Sequence, residues 1–171
     1  MNPFVDKMIR AARLDITLYE EVERDKTVTF ESMMVVVLAS IASGIGLMGK
    51  GGFAGLITGT LVALITWLIW AYLCFFIGTK FLPEQDTSAD YGELLRTLGF
   101  ASSPGIVRIL GIIPGLGQII SFLAGIWMLV AMVIAVRQAL DYKSTPRAVG
   151  VCIIGWIVQA VIMFIIFKIF K

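Results

Sequence analysis

The stretch from Phe53 to Phe81 carries one charged side chain, Lys80, near its far end. Nothing else constrains the fold as strongly. A helix that crosses the hydrocarbon layer needs roughly 20 apolar residues. This stretch exceeds that length, so it is expected to tilt or to protrude. Comparable runs recur, and the chain reads as spans over 30–48, 53–81, 98–113, 116–136 and 148–167. Of its 171 residues 58% are hydrophobic and 15% charged, with mean hydropathy +0.92. A soluble domain has about 25% charge, so lipid is the expected solvent. The predicted fold class is all-α, a polytopic transmembrane bundle of about five spans.

Residues 1–28 form a separate, non-spanning segment ahead of a membrane domain over 29–171. Asn2 and Pro3 suit the cap and first position of a helix. Phe4, Val5, Met8, Ile9 and Ala12 recur at helical spacing on one side. Asp15 can cap a second short helix with Leu18, Tyr19 and Val22 as its apolar stripe. This amphipathic stretch fits either the membrane interface or the underside of its own bundle. It has no apolar core and no cleavage pattern, so it does not read as a signal peptide.

Turn and cap signals divide the remainder. Gly49 to Gly52 make a short glycine turn. Pro83 to Asp90 form the one clearly polar loop. Asp90 and Glu93 have the spacing of a capping box and start the amphipathic YGELLRTL. The run from Phe100 to Ile113 is interrupted by Ser103-Pro104 and Arg108 and followed by Pro114-Gly115. Residues 91–113 together read as one kinked span, a re-entrant hairpin, or an interfacial helix followed by a short span. Thr145 and Pro146 suit the start of the last span.

The distribution of charge predicts orientation. Of 14 Lys and Arg, all but Lys50, Arg108, Lys168 and Lys171 fall on the side of the N-terminus if there are five spans. The positive-inside rule places that side in the cytoplasm and the C-terminus outside. The near-neutral net charge of +2 argues against nucleic acid as a partner.

Several residues stand out as candidate contacts. Arg108 is the strongest, because a charge at membrane depth marks either function or snorkelling to headgroups. Lys7, Arg10 and Arg13 suit anionic headgroups. Arg137, Asp141 and Arg147 belong to a second charged loop, where Arg137 and Asp141 have the spacing of a helical ion pair. Gly55, Gly59 and Ala63, and likewise Gly117, Ser121 and Gly125, are small residues at four-residue spacing. They are expected to allow close helix packing, within the chain or between copies of it. Gln118 and Gln159 can hydrogen-bond across helices.

No catalytic, cofactor-binding or metal-ligating motif is found. The chain lacks histidine, which removes Ser-His and Cys-His pairs and histidine zinc sites. Cys74 and Cys152 lie in apolar runs and read as buried hydrophobes.

The pieces GFASSPG (Gly99–Gly105), IPGLG (Ile113–Gly117), RQALDY (Arg137–Tyr142) and LDITLYEEVERD (Leu14–Asp25) together resemble bacterial members of the Yip family. These are five-span membrane proteins named for binding Ypt/Rab GTPases. The resemblance implies a cytosolic N-terminus, an outer C-terminus, a prokaryotic cell membrane as location and, for eukaryotic relatives, a Rab-type GTPase partner.

Three functions are open at this point. The first is a non-enzymatic protein that organises lipids, other membrane proteins or copies of itself. The second is a small transporter, channel or lipid-moving protein built on the broken third span and Arg108. A polar cavity reaching Arg108 would favour it. The third, an intramembrane enzyme, lacks any pair of catalytic side chains.

Overall fold

The computed structural model describes residues 2–46 and 52–169. Met48, Lys50 and Gly49 to Gly51 of the expected glycine turn lie outside the described residues, as does Lys171. Seven α-helices follow one another: α1 (Pro3–Ala12), α2 (Ile16–Arg24), α3 (Thr29–Gly46), α4 (Gly52–Phe76), α5 (Tyr91–Phe100), α6 (Gly117–Ala139) and α7 (Thr145–Ile169). A π turn, Ile77–Phe81, closes α4, and a 3-10 helix, Ser103–Ile112, follows α5. Among the described residues, four helices are long and apolar enough to cross a membrane: Lys26–Ile45, Ala54–Phe81, Gly117–Ala139 and Thr145–Ile162.

The helix starts are set by local chemistry. Asn2 accepts from the Phe4 N–H at 2.9 Å with Pro3 at the first helical position. Asp15 accepts from the Thr17 N–H at 3.0 Å. Asp90 and Glu93 close a full capping box, with bonds of 2.9 and 2.7 Å. Each satisfies N–H groups that a helix terminus leaves without partners.

Residues 98–113 are not one α-helix. The ten-residue α5 stops at Phe100, because Pro104 offers no N–H to continue it. The 3-10 helix then carries ten residues over about 20 Å, at ~2 Å per residue, where an α-helix of that length would cover about 15 Å. The contacts give its direction. A Cβ on Gly105 would approach Met128 Sδ of α6 to 2.9 Å and the Ala39 Cβ of α3 to 3.2 Å. Just ahead of it Gly99 faces Ser32 of α3, and further along Arg108 lies beside Gly125 of α6, so the 3-10 helix runs parallel to α3 and antiparallel to α6. Gly115, at φ +83°, makes the turn between it and α6.

Helices α3 and α4 are antiparallel, with Ser40 Oγ 3.3 Å from Thr60 Oγ1. Helices α4 and α7 are antiparallel too, since Gly155 faces Trp70 and Gly150 faces Leu82. Among the described residues the chain therefore runs along the bundle in four long helices and one 3-10 segment.

The surface of the passes is apolar. On α4, Ile57, Leu61, Ile65, Leu68, Tyr72 and Phe76 form an exposed stripe, and Phe122 and Phe164 are more than 60% exposed. Such a band suits lipid, not water.

The tightest packing lies at the charged end. There Leu94, Leu98 and Phe100 of α5 are fully buried, with Leu18, Tyr19 and Val22 of α2 and Ala135 and Ala139 of α6. Each large side chain buried in this way contributes roughly 1.5–3 kcal/mol. Helices α1 and α2 pack onto this core. Trp127 Nε1 donates to the Ala12 carbonyl at 2.8 Å, and Tyr19 donates to the Ala11 carbonyl at 3.2 Å. The N-terminal segment thus packs against its own bundle, while Val5, Ile9 and Ile16 stay exposed.

Candidate functional site

A cavity of about 520 Å³ lies between α3, α4, the 3-10 helix, α6 and α7. Its walls carry Ser40, Thr66, Trp67, Trp70, Arg108 and Gln159 among apolar neighbours. Leu98 and Ser102, from the junction of α5 and the 3-10 helix, line it as well.

Two of the four hydroxyls in this wall are committed to their own helices. Ser40 donates to the Val37 carbonyl at 2.8 Å, and Ser102 to the Leu98 carbonyl at 3.3 Å. The strong donors are not. Arg108 Nε, Trp67 Nε1 and Trp70 Nε1 are buried and have no hydrogen-bond partner. Buried polar groups are almost always paired, and Arg and Trp side chains can only donate. Among the described residues no carboxylate lines the cavity.

Arg108 also borders a second, more open groove formed with α6 and Trp156. Ser121, Phe122, Gly125 and Ile126 line it. The guanidinium lies beside α6: a Cβ added at Gly125 would be in ordinary contact with Arg108 Nη2, at 3.9 Å. The arginine thus stands between the cavity and a groove whose Phe122 and Ile126 belong to the exposed apolar surface.

The small residues lie as follows. Gly55, Gly59 and Ala63 border the cavity. A Cβ added at Gly55 or Gly59 would meet nothing within 4 Å. Gly117 opens α6, while Ser121 and Gly125 face the groove. The close-packed face of α6 is built instead from Ala124, Ala131, Ala135 and Ala139.

Lys7, Arg10, Arg137 and Arg147 are engaged within the chain. Lys7 pairs with Glu31 at 2.8 Å. Arg10 grips Glu21 through two bonds of 2.7 and 2.8 Å and Asp15 at 2.8 Å. The Arg10 hydrogen bond, helped by Thr17, holds the Asp15 carboxyl down at about 2. Arg13 is exposed just past the end of α1.

Arg137 and Asp141 do not form the ion pair that their spacing allows. The backbone turns at Asp141, φ 53°, and Arg137 donates to the carbonyls of Tyr142 and Lys143 at 3.2 and 3.4 Å. Arg147 donates to the Pro83 carbonyl at 2.5 Å and faces Glu84 at 3.6 Å. With the Lys143–Asp86 pair it ties the loop after α6 to the loop after α4.

Sequence reasoning missed Trp67, Trp70 and Trp156, reading them as bulk apolar residues. Two indoles three residues apart, beside Thr66 on an otherwise apolar helix, were the available signal. It also counted Arg96 only as a loop charge. That side chain is 3% exposed, and its Nε donates to the Val22 and Glu23 carbonyls at 2.9 and 3.2 Å. It neutralises the C-terminal end of α2.

No curated protein and no solved structure matches the sequence. A family model described as the Yip1 domain matches residues 19–167, from α2 almost to the end of α7, and the chain belongs to that family.

Proposed function

We propose that this membrane protein acts by association, not catalysis, and that it takes an amphiphilic ligand from the bilayer into the cavity beside Arg108. One observation carries the reading: a cavity of about 520 Å³, partly open at the surface, that reaches an arginine in the middle of a broken pass. Irregular backbone at membrane depth is tolerated where it lines a cavity, and the 3-10 helix lines this one. A volume of a few hundred Å³ is in the range of small-molecule sites. It accommodates a headgroup with the first part of a chain. Of the functions open from the sequence, lipid association at the third pass gains most.

By the positive-inside rule the end carrying Arg10, Arg96, Arg137 and Arg147 faces the cytoplasm. The reading assigns no role to a Rab-type GTPase.

Native mass spectrometry of the protein purified in mild detergent tests it. The wild type is expected to retain a defined lipid that Arg108→Gln loses. Equal adventitious lipid on both proteins would overturn the reading.

A further inference from the structure

The charge on the cavity wall has one sign: Arg108 lines it, and among the described residues no lining side chain is acidic. Arg108 Nε is buried without a hydrogen-bond partner, while the residue as a whole is half-buried. A cation drawn out of water without a counter-charge is expensive. A neutral ligand offering only methylene groups would leave that cost in place. A ligand with negatively charged oxygens removes it, because charge-assisted bonds from arginine are the strong ones.

The second opening identifies which anion. Arg108 borders both the interior and the groove along α6, and that groove is apolar apart from Ser121. Met128 and Met132 belong to both walls, and methionine adapts to irregular apolar shapes. A free inorganic anion has no use for such a groove. A lipid does, since its chain can lie there while its headgroup sits inside.

We infer that the ligand is a lipid with an anionic oxygen headgroup, a phosphate or a carboxylate. Arg108 holds the charge, Trp67 and Trp70 wall the headgroup space, and the chain leaves along α6 past Gly125. The inference rests on the lipid-uptake reading above and specifies the ligand.

The test uses the full chain in neutral detergent, delipidated by extensive washing. Affinity is read from thermal stabilisation and native mass spectrometry. Four probes are compared: phosphatidic acid, a long-chain fatty acid, phosphatidylcholine of matched chains, and inorganic phosphate. Phosphatidic acid and the fatty acid are expected to bind and stabilise. Phosphatidylcholine, whose phosphate carries a compensating cation, is expected to bind at least tenfold more weakly, and inorganic phosphate not measurably. Arg108→Gln is expected to weaken anionic-lipid binding about thirtyfold. It should itself fold well, because it removes a buried charge.

Equal binding of phosphatidylcholine and phosphatidic acid would overturn the anionic assignment while leaving lipid uptake standing. Stabilisation by inorganic phosphate equal to that by phosphatidic acid would overturn the lipid assignment. Binding of no lipid of any class would overturn both.

Discussion

Arg96 and Arg108 lie on successive segments of one interrupted pass, yet their surroundings are opposite. Arg96 is nearly inaccessible and its guanidinium is bound to two carbonyls at the end of α2. Arg108 is half-buried, and its Nε has no acceptor within reach. Around Arg96 the helix ends are capped and the side chains interlock. Around Arg108 glycines border empty space. The contrast separates a brace from a receptor. A buried cation whose partners belong to the chain stabilises the fold, whereas one whose partners must come from outside is kept for a ligand.

The largest expected effect falls on the brace. Arg96→Met keeps the stem but leaves the Val22 and Glu23 carbonyls without their donor. Stranding buried acceptors of this kind costs about 1–3 kcal/mol each. A loss near 3 kcal/mol is expected, read as a lower melting temperature in detergent. Faster hydrogen exchange in α2 should accompany it, with exchange in α7 unchanged. An Arg96→Met protein as stable as the wild type would erase the distinction between the two arginines.

A glycine pair sharpens the same comparison. At Gly99 of α5 a Cβ would lie 2.6 Å from the Ser32 Cβ and 2.9 Å from the Ser32 carbonyl oxygen. Backbone cannot step aside cheaply, so Gly99→Ala is expected to destabilise by about 1–3 kcal/mol, as overpacking does. At Gly59 a Cβ meets nothing. Gly59→Ala is expected to stabilise by up to about 1 kcal/mol through helix propensity alone. Opposite signs in parallel melting curves are the expected outcome. A destabilising Gly59→Ala would mean that this face packs against another helix.

Much of this architecture is legible in the sequence, and what is hidden follows a pattern. Asn2, Asp15 and the Asp90–Glu93 pair act on N–H groups two or three residues away, so their spacing alone identifies them. The long passes are legible because lipid demands an uncharged run whatever the packing. The cavity is not. Gly55 and Gly59 have the same spacing whether they receive a neighbouring helix or border a void. Trp67 and Trp70 count as apolar until the absence of an acceptor is seen. Arg96 was hidden for another reason: its acceptors are backbone carbonyls of a distant helix, and any residue supplies a carbonyl. The third pass was legible as interrupted, since Pro104 and Pro114 both forbid a continuous helix. Its 3-10 course depends on fitting between α3 and α6.

The loop contacts at the charged end predict a smaller loss. The Tyr142 hydroxyl lies 2.9 Å from the Gly78 carbonyl and 2.7 Å from that of Leu82, at the π turn that closes α4. Burial pushes its pKa up to about 12, so it stays a donor at any physiological pH. Tyr142→Phe removes one hydrogen bond and keeps the ring. A cost of about 1 kcal/mol is expected, with faster exchange confined to residues near the π turn. Unchanged exchange there would show that the π turn holds without Tyr142.

The smallest effect concerns pH, and it tests whether the charged end is as fully satisfied as its hydrogen bonds imply. Glu23 is its exception. Partial burial, with Asp141, Glu93 and Glu20 nearby and only Arg24 opposing them, pushes the Glu23 carboxyl up to about 7 from an ordinary 4.5. The folded state then holds this proton more tightly than the unfolded chain does. Between about pH 4.5 and 7 the unfolded chain has released the proton and the folded protein has not, so stability falls as pH rises. Above 7 the whole penalty is present, and below 4.5 there is none. Solvent screens a half-exposed group, which leaves roughly half a kcal/mol. The melting temperature of the wild type is expected to drop slightly more between pH 5 and 8 than that of Glu23→Gln. At pH 8 the variant is expected to be the more stable of the two. If the two proteins have the same pH profile, the acids around Glu23 are solvated well enough to ignore one another, and the charged end holds no unsatisfied group comparable to Arg108.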